Sequence, residues 1–156
     1  MIKKHIVYYD FDGQQREDDF YFSLNQVQLA RINRLFPEGL EEHLKLVTKN
    51  RDANELFRII DILVSEAYGE RQGNNFVKVA PNGQKLSEFF TNTDAYDKLL
   101  TELMDGENKL IDFLTGCLSQ DAQVRARSNM AKFQAKIAEG ATPQEAIDAI
   151  KQDVQQ

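Results

Sequence analysis

The stretch YYDFDGQQREDDFYF, Tyr8 to Phe22, sets five carboxylates among six aromatic side chains around a single glycine. It reads as a calcium loop, an acidic catalytic pair, or a turn between two strands. A calcium-binding EF-hand loop needs oxygen ligands at positions 1, 3 and 5, glycine at 6 and a bidentate glutamate at 12. Counted from Asp10, Gly13 falls at position 4 and Tyr21 at position 12, so the register fails. Asp18 and Asp19 are neighbours on a strand-like run and point to opposite faces, which prevents them from gripping one substrate atom together. The turn reading remains. Asp12-Gly13 is a favoured hairpin dipeptide because both positions tolerate positive φ.

Outward from the turn, Ile2, Ile6 and Tyr8 alternate with Lys3, His5, Val7 and Tyr9, the period of a strand. Arg16 to Phe22 supplies the return strand. Ser23 followed by Gln26 reads as a capping box, with Leu24, Val27, Ala30 or Arg31, and Leu35 at helical spacing before Pro37. A short second helix is predicted in GLEEHLKLVTKN, with Leu40, Leu44 and Val47 on its apolar face, ending near Asn50. The strongest helix is RDANELFRIIDILVSEAYG, capped by Asp52 with Glu55 behind it. Its stripe is Leu56, Ile59, Ile60, Leu63 and Ala67, and Gly69 is expected as a left-handed stop. The turn-rich ERQGNNFVKVAPNGQ reads as an exposed connection, with Phe76, Val77 and Val79 offering a short strand. Helical spacing returns in KLSEFFTNT, in DAYDKLLTELMDG and in ENKLIDFLTG, with Gly106 and Gly116 closing the last two. The aromatic set Phe20, Phe22, Phe89, Phe90 and Tyr96 is expected in the core.

Past Leu118 the character changes. Residues 119–156 hold five acids and five bases, so the net charge of −6 lies entirely in residues 1–118. Ala126, Met130, Phe133 and Ile137 form a narrow stripe on one helix that stops at Gly140. Thr142-Pro143-Gln144-Glu145 then announces a second helix, lined by Ile147, Ile150 and Val154. The expected fold is therefore α+β and mainly helical: an N-terminal β-hairpin, a bundle of short helices over 1–118, and a C-terminal helical hairpin over 119–156.

Composition bounds the function. The chain has 42% hydrophobic and 28% charged residues, as in a soluble globular protein. Its acidic balance disfavours phosphate backbones. The lone Cys117 has no histidine near it in sequence and reads as a buried structural residue in a reducing compartment. The N-terminus lacks the uninterrupted apolar core of a signal peptide, and no run approaches a membrane span of about 20 residues. His5 and His43 stand outside any metal-ligand spacing. The glycine-containing runs lack phosphate-loop patterns, and no nucleophile elbow is present. The residues therefore predict a non-catalytic domain with no cofactor.

One longer pattern is more particular. Tyr68-Gly69-Glu70, Phe76-Val77-Lys78, Phe90 to Thr93, Ala95-Tyr96 and Phe113-Leu114-Thr115-Gly116 occur in that order, after DFDGQQREDDFYFSLNQVQL. In this series the chain resembles the tail assembly chaperones of long-tailed phages of Gram-positive bacteria over residues 1–118, with 119–156 extending beyond the short form. The resemblance implies a small α+β protein without enzymatic activity in the host cell cytoplasm. Such a protein binds the helical tape measure protein, keeps it soluble and helps recruit tail tube subunits; homo-oligomerisation is left open. The exposed partner-binding surface is expected to include Leu40, Leu44, Ala126, Met130 and Phe133. The competing reading is a nucleic-acid-binding regulator that uses Arg125, Arg127, Lys132 and Lys136 on the tail helix.

Overall fold

The structure is a computed structural model that describes residues 1–118, 128, 131, 132 and 134–154. The chain divides into two compact units, Met1–Ser119 and Gln120–Gln156. In the first, β1 (Ile2–Tyr9) and β2 (Gln15–Phe22) pair antiparallel along their full length, with Ile2 opposite Phe22 and Tyr9 opposite Gln15. The alternation holds: Ile6 is buried between exposed His5 and Val7.

The hairpin tip differs in one detail from its sequence expectation. Gly13 N–H donates to Asp10 O at 3.0 Å and Asp10 N–H to Gln14 O at 2.9 Å, and of the Asp12-Gly13 pair only Gly13 takes a positive φ, 77°. These bonds define a type I turn closed by a glycine bulge, in which Asp12 keeps an ordinary backbone. The Asp10 carboxylate organises the turn. Its Oδ1 accepts from the Asp12 and Gln14 amides, both at 2.9 Å, and its Oδ2 accepts from Arg16 Nε at 2.7 Å. The same backbone pattern recurs at Ala80–Gln84, where Gly83 N–H donates to Ala80 O and Ala80 N–H to Gln84 O. FDGQ and PNGQ are thus two versions of one loop.

After β2 the chain does not enter its helix at Ser23. Ser23 N–H donates to Ala67 O and Leu24 N–H to Cys117 O, which keeps both residues extended and buries Leu24. The capping box falls two residues later, on Asn25 and Gln28, and starts α1 (Gln26–Arg34). The shift rotates the helix. Ile32 and, beyond the helix, Phe36 are buried, whereas Val27 and Leu35 are 60% and 56% exposed. Helix α2 (Leu40–Asn50) buries Leu40, Leu44 and Val47 as its stripe predicts, and α3 (Ala53–Ala67) starts on the Asp52 cap and buries Ile59, Ile60, Leu63, Val64 and Ala67.

Helix α3 does not stop at a left-handed glycine. Tyr68, with φ −63° and ψ 139°, passes directly into β3 (Tyr68–Gln72), which a turn at Gly73 joins to β4 (Asn75–Val77). The segment expected as an exposed connection is therefore half of a four-stranded antiparallel sheet of order β1-β2-β3-β4. Gly69 is needed for space: a Cβ there would lie 2.6 Å from the Phe76 ring and 2.8 Å from Val77 O.

Helices α4 (Leu86–Phe90), α5 (Asp94–Met104) and α6 (Glu107–Cys117) complete the unit. Gly116 lies inside α6 rather than ending it, and a Cβ there would meet Ile2 Cδ1 at 2.7 Å. Gly106 precedes α6 as its N-cap. The core centres on Phe22, fully buried, whose ring meets Tyr68, Phe90 and Phe113 at centroid distances of 5.8, 5.7 and 5.2 Å. Tyr68 stacks on Phe90 at 4.4 Å, at the close limit of the roughly 4.5–7 Å spacing of favourable aromatic pairs. Phe89, expected with them, is 53% exposed because Phe90, its neighbour on α4, takes the inward direction.

The half-buried Lys78 ammonium joins three elements. It donates to Ser23 O at 2.6 Å, to Gln28 Oε1 at 2.9 Å and to Glu66 O at 2.7 Å. Burial pushes its pKa down to about 8, with Glu66 pulling the other way.

In the second unit, residues 134–138 are helical and end in a glycine motif: Gly140, φ 92°, donates to Ile137 O, and Ala141 N–H donates to Lys136 O. Thr142 and Glu145 then form the reciprocal box that opens α7 (Pro143–Val154), with Thr142 N–H to Glu145 Oε2 at 2.8 Å and Glu145 N–H to Thr142 Oγ1 at 3.3 Å. Ala126, Met130 and Phe133 lie outside the described residues, and Ile137 and Ile147 are each 39% exposed.

Lys78→Met should cost about 1–3 kcal/mol, because it leaves the Ser23 and Glu66 carbonyls without the ammonium in a half-buried site, while Gln28 Oε1 keeps its bond from Asn25 N–H. Chemical denaturation measures it. Gly69→Ala should cost about 1–3 kcal/mol by overpacking against Phe76 and Val77, whereas a Cβ at Gly106 meets nothing within 4 Å, so Gly106→Ala should lose less.

Candidate partner-binding cleft

Two helix junctions border an open, largely apolar cleft in the first unit. On one side α2 ends at Arg51, a non-glycine residue held left-handed at φ 53° and ψ 39°, whose N–H donates to the Thr48 and Val47 carbonyls. Asp52 follows and accepts from Glu55 N–H to start α3. On the other side α5 ends at Asp105, and Gly106, extended at φ 164°, redirects the chain into α6. Between them lies a cleft of about 470 Å³. Buried Leu44, Val47, Leu103 and Leu110 face it from below. Leu56 and Met104 stand half-buried in its wall, and Ile111, 43% exposed, lies at its edge. Thr48, Arg51, Asp52 and Asp105 supply its polar lining. Methionine adapts its shape to different contacts, which suits a site for varied apolar side chains.

Beside the cleft, α2 and α3 are tied by a charged network. His43 sits between Glu38, bonded through Nδ1, and Glu55, 2.7 Å from Nε2. The imidazole stacks on Phe36 at 4.6 Å, and the Arg58 guanidinium lies 5.3 Å over the same ring while Nη2 donates to Glu55 at 2.5 Å. Glu55, with Glu38 beside it, raises the His43 pKa above its usual value. Arg58, then His43, lowers that of Glu55 to about 2. His43 is thus a structural residue joining the α1–α2 turn to α3.

The acidic residues of the hairpin are distributed over separate contacts. Asp10 holds the turn, Asp18 accepts from Tyr8 OH at 2.6 Å, and Asp19 on the other face accepts from His5 at 2.9 Å. Arg16, then the Gln14 amide, holds the Asp10 carboxyl below its usual range. Among the described residues, no group of three or more His, Cys, Asp or Glu is placed to hold a metal ion. Cys117 is fully buried, and burial raises its thiol to about 12, far from a nucleophile's range.

The residues expected on a binding surface separate in the structure. Leu40 and Leu44 are 4% and 7% exposed, so neither forms an open surface; Leu44 lies against the cleft and Leu40 does not. Ala126, Met130 and Phe133 fall outside the described residues, as do Arg125 and Arg127 of the competing reading. Lys136 of that reading pairs with Glu139 at 3.5 Å. The sequence alone does not set Leu56, Met104 and Ile111 on one cleft. Their helical periodicity is visible, but the meeting of two distant junctions is not.

An α+β domain with an apolar cleft bordered by helix junctions has the form of an interaction module. The chain belongs to the phage tail assembly chaperone family, whose model matches residues 1–156, the whole length. That family is a non-catalytic kind of protein. No curated protein and no solved structure matches the chain significantly. Among the described residues, no helix is long and apolar enough to cross a membrane.

The network has a defined pH dependence. A histidine with a raised folded-state pKa stabilises fully below its unfolded value of about 6.5, and that stabilisation is lost as pH rises through the folded value. Glu38 and Glu55, both lowered, contribute above their unfolded value of about 4.3 and lose that contribution as pH falls, for Glu55 towards about 2. His43→Gln should therefore flatten the decline of stability above about pH 6.5, measured by denaturation midpoints across a pH series.

Proposed function

We propose that the cleft between the α2–α3 and α5–α6 junctions receives an amphipathic helix of the phage tape measure protein. The chaperone thereby keeps that long partner soluble in the host cytoplasm and helps tail tube subunits assemble around it. The observation that carries the reading is the cleft itself, an open apolar site of about 470 Å³ on a member of the tail assembly chaperone family. Pockets of about 300–1,000 Å³ admit several side chains, and helix-in-groove recognition seats the i, i+3 and i+7 anchors of an amphipathic helix in such a site. Contacts of this kind shield apolar surface reversibly and involve no covalent step. Residues 1–118 form the chaperone core in this reading. Residues 119–156 are an extension with a partner contact of its own through Ala126, Met130 and Phe133.

The residues to test are those of the cleft wall and edge, since charging the buried Leu40 or Leu44 would unfold the unit instead of reporting on binding. Met104→Glu and Ile111→Glu should each weaken binding of a tape measure fragment by about 30-fold or more, the scale of an interface hot spot. Circular dichroism of the free chaperone should stay unchanged. Titration calorimetry that finds undiminished affinity in both variants removes the cleft as the site. Loss of binding in Met130→Glu and Phe133→Glu alone would shift the site to the extension.

A further inference from the structure

The sheet ends on its longest exposed edge. Among the described residues β1 pairs with β2 on one side only, and its eight residues contain neither proline nor bulge. Asp10 N–H donates towards β2, to Gln14 O, and antiparallel strands alternate the direction of their backbone groups. Residues 8, 6, 4 and 2 therefore point towards β2, and the N–H and C=O of Lys3, His5, Val7 and Tyr9 point outward.

The sequence of this edge is complementary to itself. Lys3, Lys4 and His5 form a basic half, Val7, Tyr8 and Tyr9 form an apolar and aromatic half, and Ile6 lies between them. We propose that β1 pairs with β1 of a second copy, antiparallel about a two-fold axis at Ile6, to make a continuous eight-stranded sheet. In that register Lys3 faces Tyr9 and His5 faces Val7 of the other copy on the outer face, and Lys4 faces Tyr8 on the inner face. Every outward backbone group of residues 3, 5, 7 and 9 gains a partner, with two N–H···O bonds exchanged at each of these pairs. Each basic side chain meets an aromatic or apolar one, so like charges are kept apart, and lysine over a tyrosine ring is favourable.

Other registers are poorer: centring on Val7 leaves Lys3 opposite residue 11, beyond the partner's strand, so fewer outward groups are paired. A slip by one residue opposes side chains of the inner and outer faces. Centring on His5 sets two imidazoles against each other and leaves Lys3 opposite Val7. Among the described residues the sheet has two further free edges: β4 offers only three residues, and residues 15–19 of β2 carry Glu17, Asp18 and Asp19, carboxylates that repel a second copy of the same edge. The resulting contact uses the same patch on both subunits and closes at two copies. No β1 residue lines the cleft, so the dimer and the partner-binding reading stand or fall separately.

The test uses the full chain in sedimentation over a concentration series, together with residue-resolved amide exchange. A dimer is expected, with the Lys3, His5, Val7 and Tyr9 amides protected at high concentration and released on dilution. Val7→Pro removes an outward N–H, and a proline ring on this edge still fits the monomer's sheet. It should weaken dimerisation by about 100-fold or more while leaving circular dichroism unchanged. A monomer at every concentration would overturn the proposal and identify Lys3 and Lys4 as guards of a solvated edge. So would an open series of larger assemblies, a dimer untouched by Val7→Pro, or a dimer whose four outward amides exchange freely.

Discussion

The junction at which α3 becomes β3 without a turn constrains the rest of the first unit. A helix leaves its last carbonyls without intrahelical partners, and a glycine motif ordinarily satisfies them. Here the partners come from elsewhere in the chain. Past the last intrahelical bond, Tyr68 N–H to Val64 O, Ser23 N–H takes Ala67 O and the Lys78 ammonium takes Glu66 O. Because Lys78 also holds Ser23 O and the Gln28 side chain of the α1 capping box, one charge fixes the end of α3, the exit of β2 and the start of α1. β3 is thereby set beside β2, with Tyr68 opposite Phe22, and the two rings enter one aromatic core.

That arrangement accounts for two glycines. At Gly69 the Phe76 ring covers the backbone, and at Gly116 Ile2 presses against α6. The first lets a β4 side chain lie across β3, and the second brings β1 and α6 closer than a Cβ allows. Neither is at a chain reversal. The acidic hairpin is explained by the same logic of local satisfaction: the carboxylates of Asp10, Asp18 and Asp19 are occupied, Asp10 by the turn, Asp18 by Tyr8 and Asp19 by His5 and Lys3. A group whose lone pairs are committed to the fold has little left for catalysis, in keeping with a family that works by binding.

The cleft is what the packing of α2, α3, α5 and α6 leaves unfilled. Asp52 and Gly106 serve as caps, and Arg51 tolerates a left-handed backbone to end α2 where α3 must begin. The same short junctions keep Leu56, Met104 and Ile111 at the wall and edge of the cleft instead of in the core. Architecture and surface are therefore linked, and the His43 network that ties α2 to α3 also steadies one wall of the site.

The sequence by itself determined what local physics controls. Alternation over Ile2–Tyr9, the Asp52 and Thr142 caps, the apolar stripes of α2 and α3 and the stop at Gly140 each depend on residues within one or two turns of each other, and each is legible in order. The DFDG stretch was readable as a turn because its carboxylates are out of register for calcium. Only the tertiary structure decided that Ser23 stays extended, since its partner Ala67 lies far along the chain, and that Gly69 and Gly116 are close contacts, since nothing near them in sequence shows what packs above. It also decided that Met104 and Ile111 face a cleft and that no part of Leu40 or Leu44, inward as their stripe requires, is left as an open surface. Helical period defines an apolar face, but which parts of that face are covered depends on elements that approach from a distance.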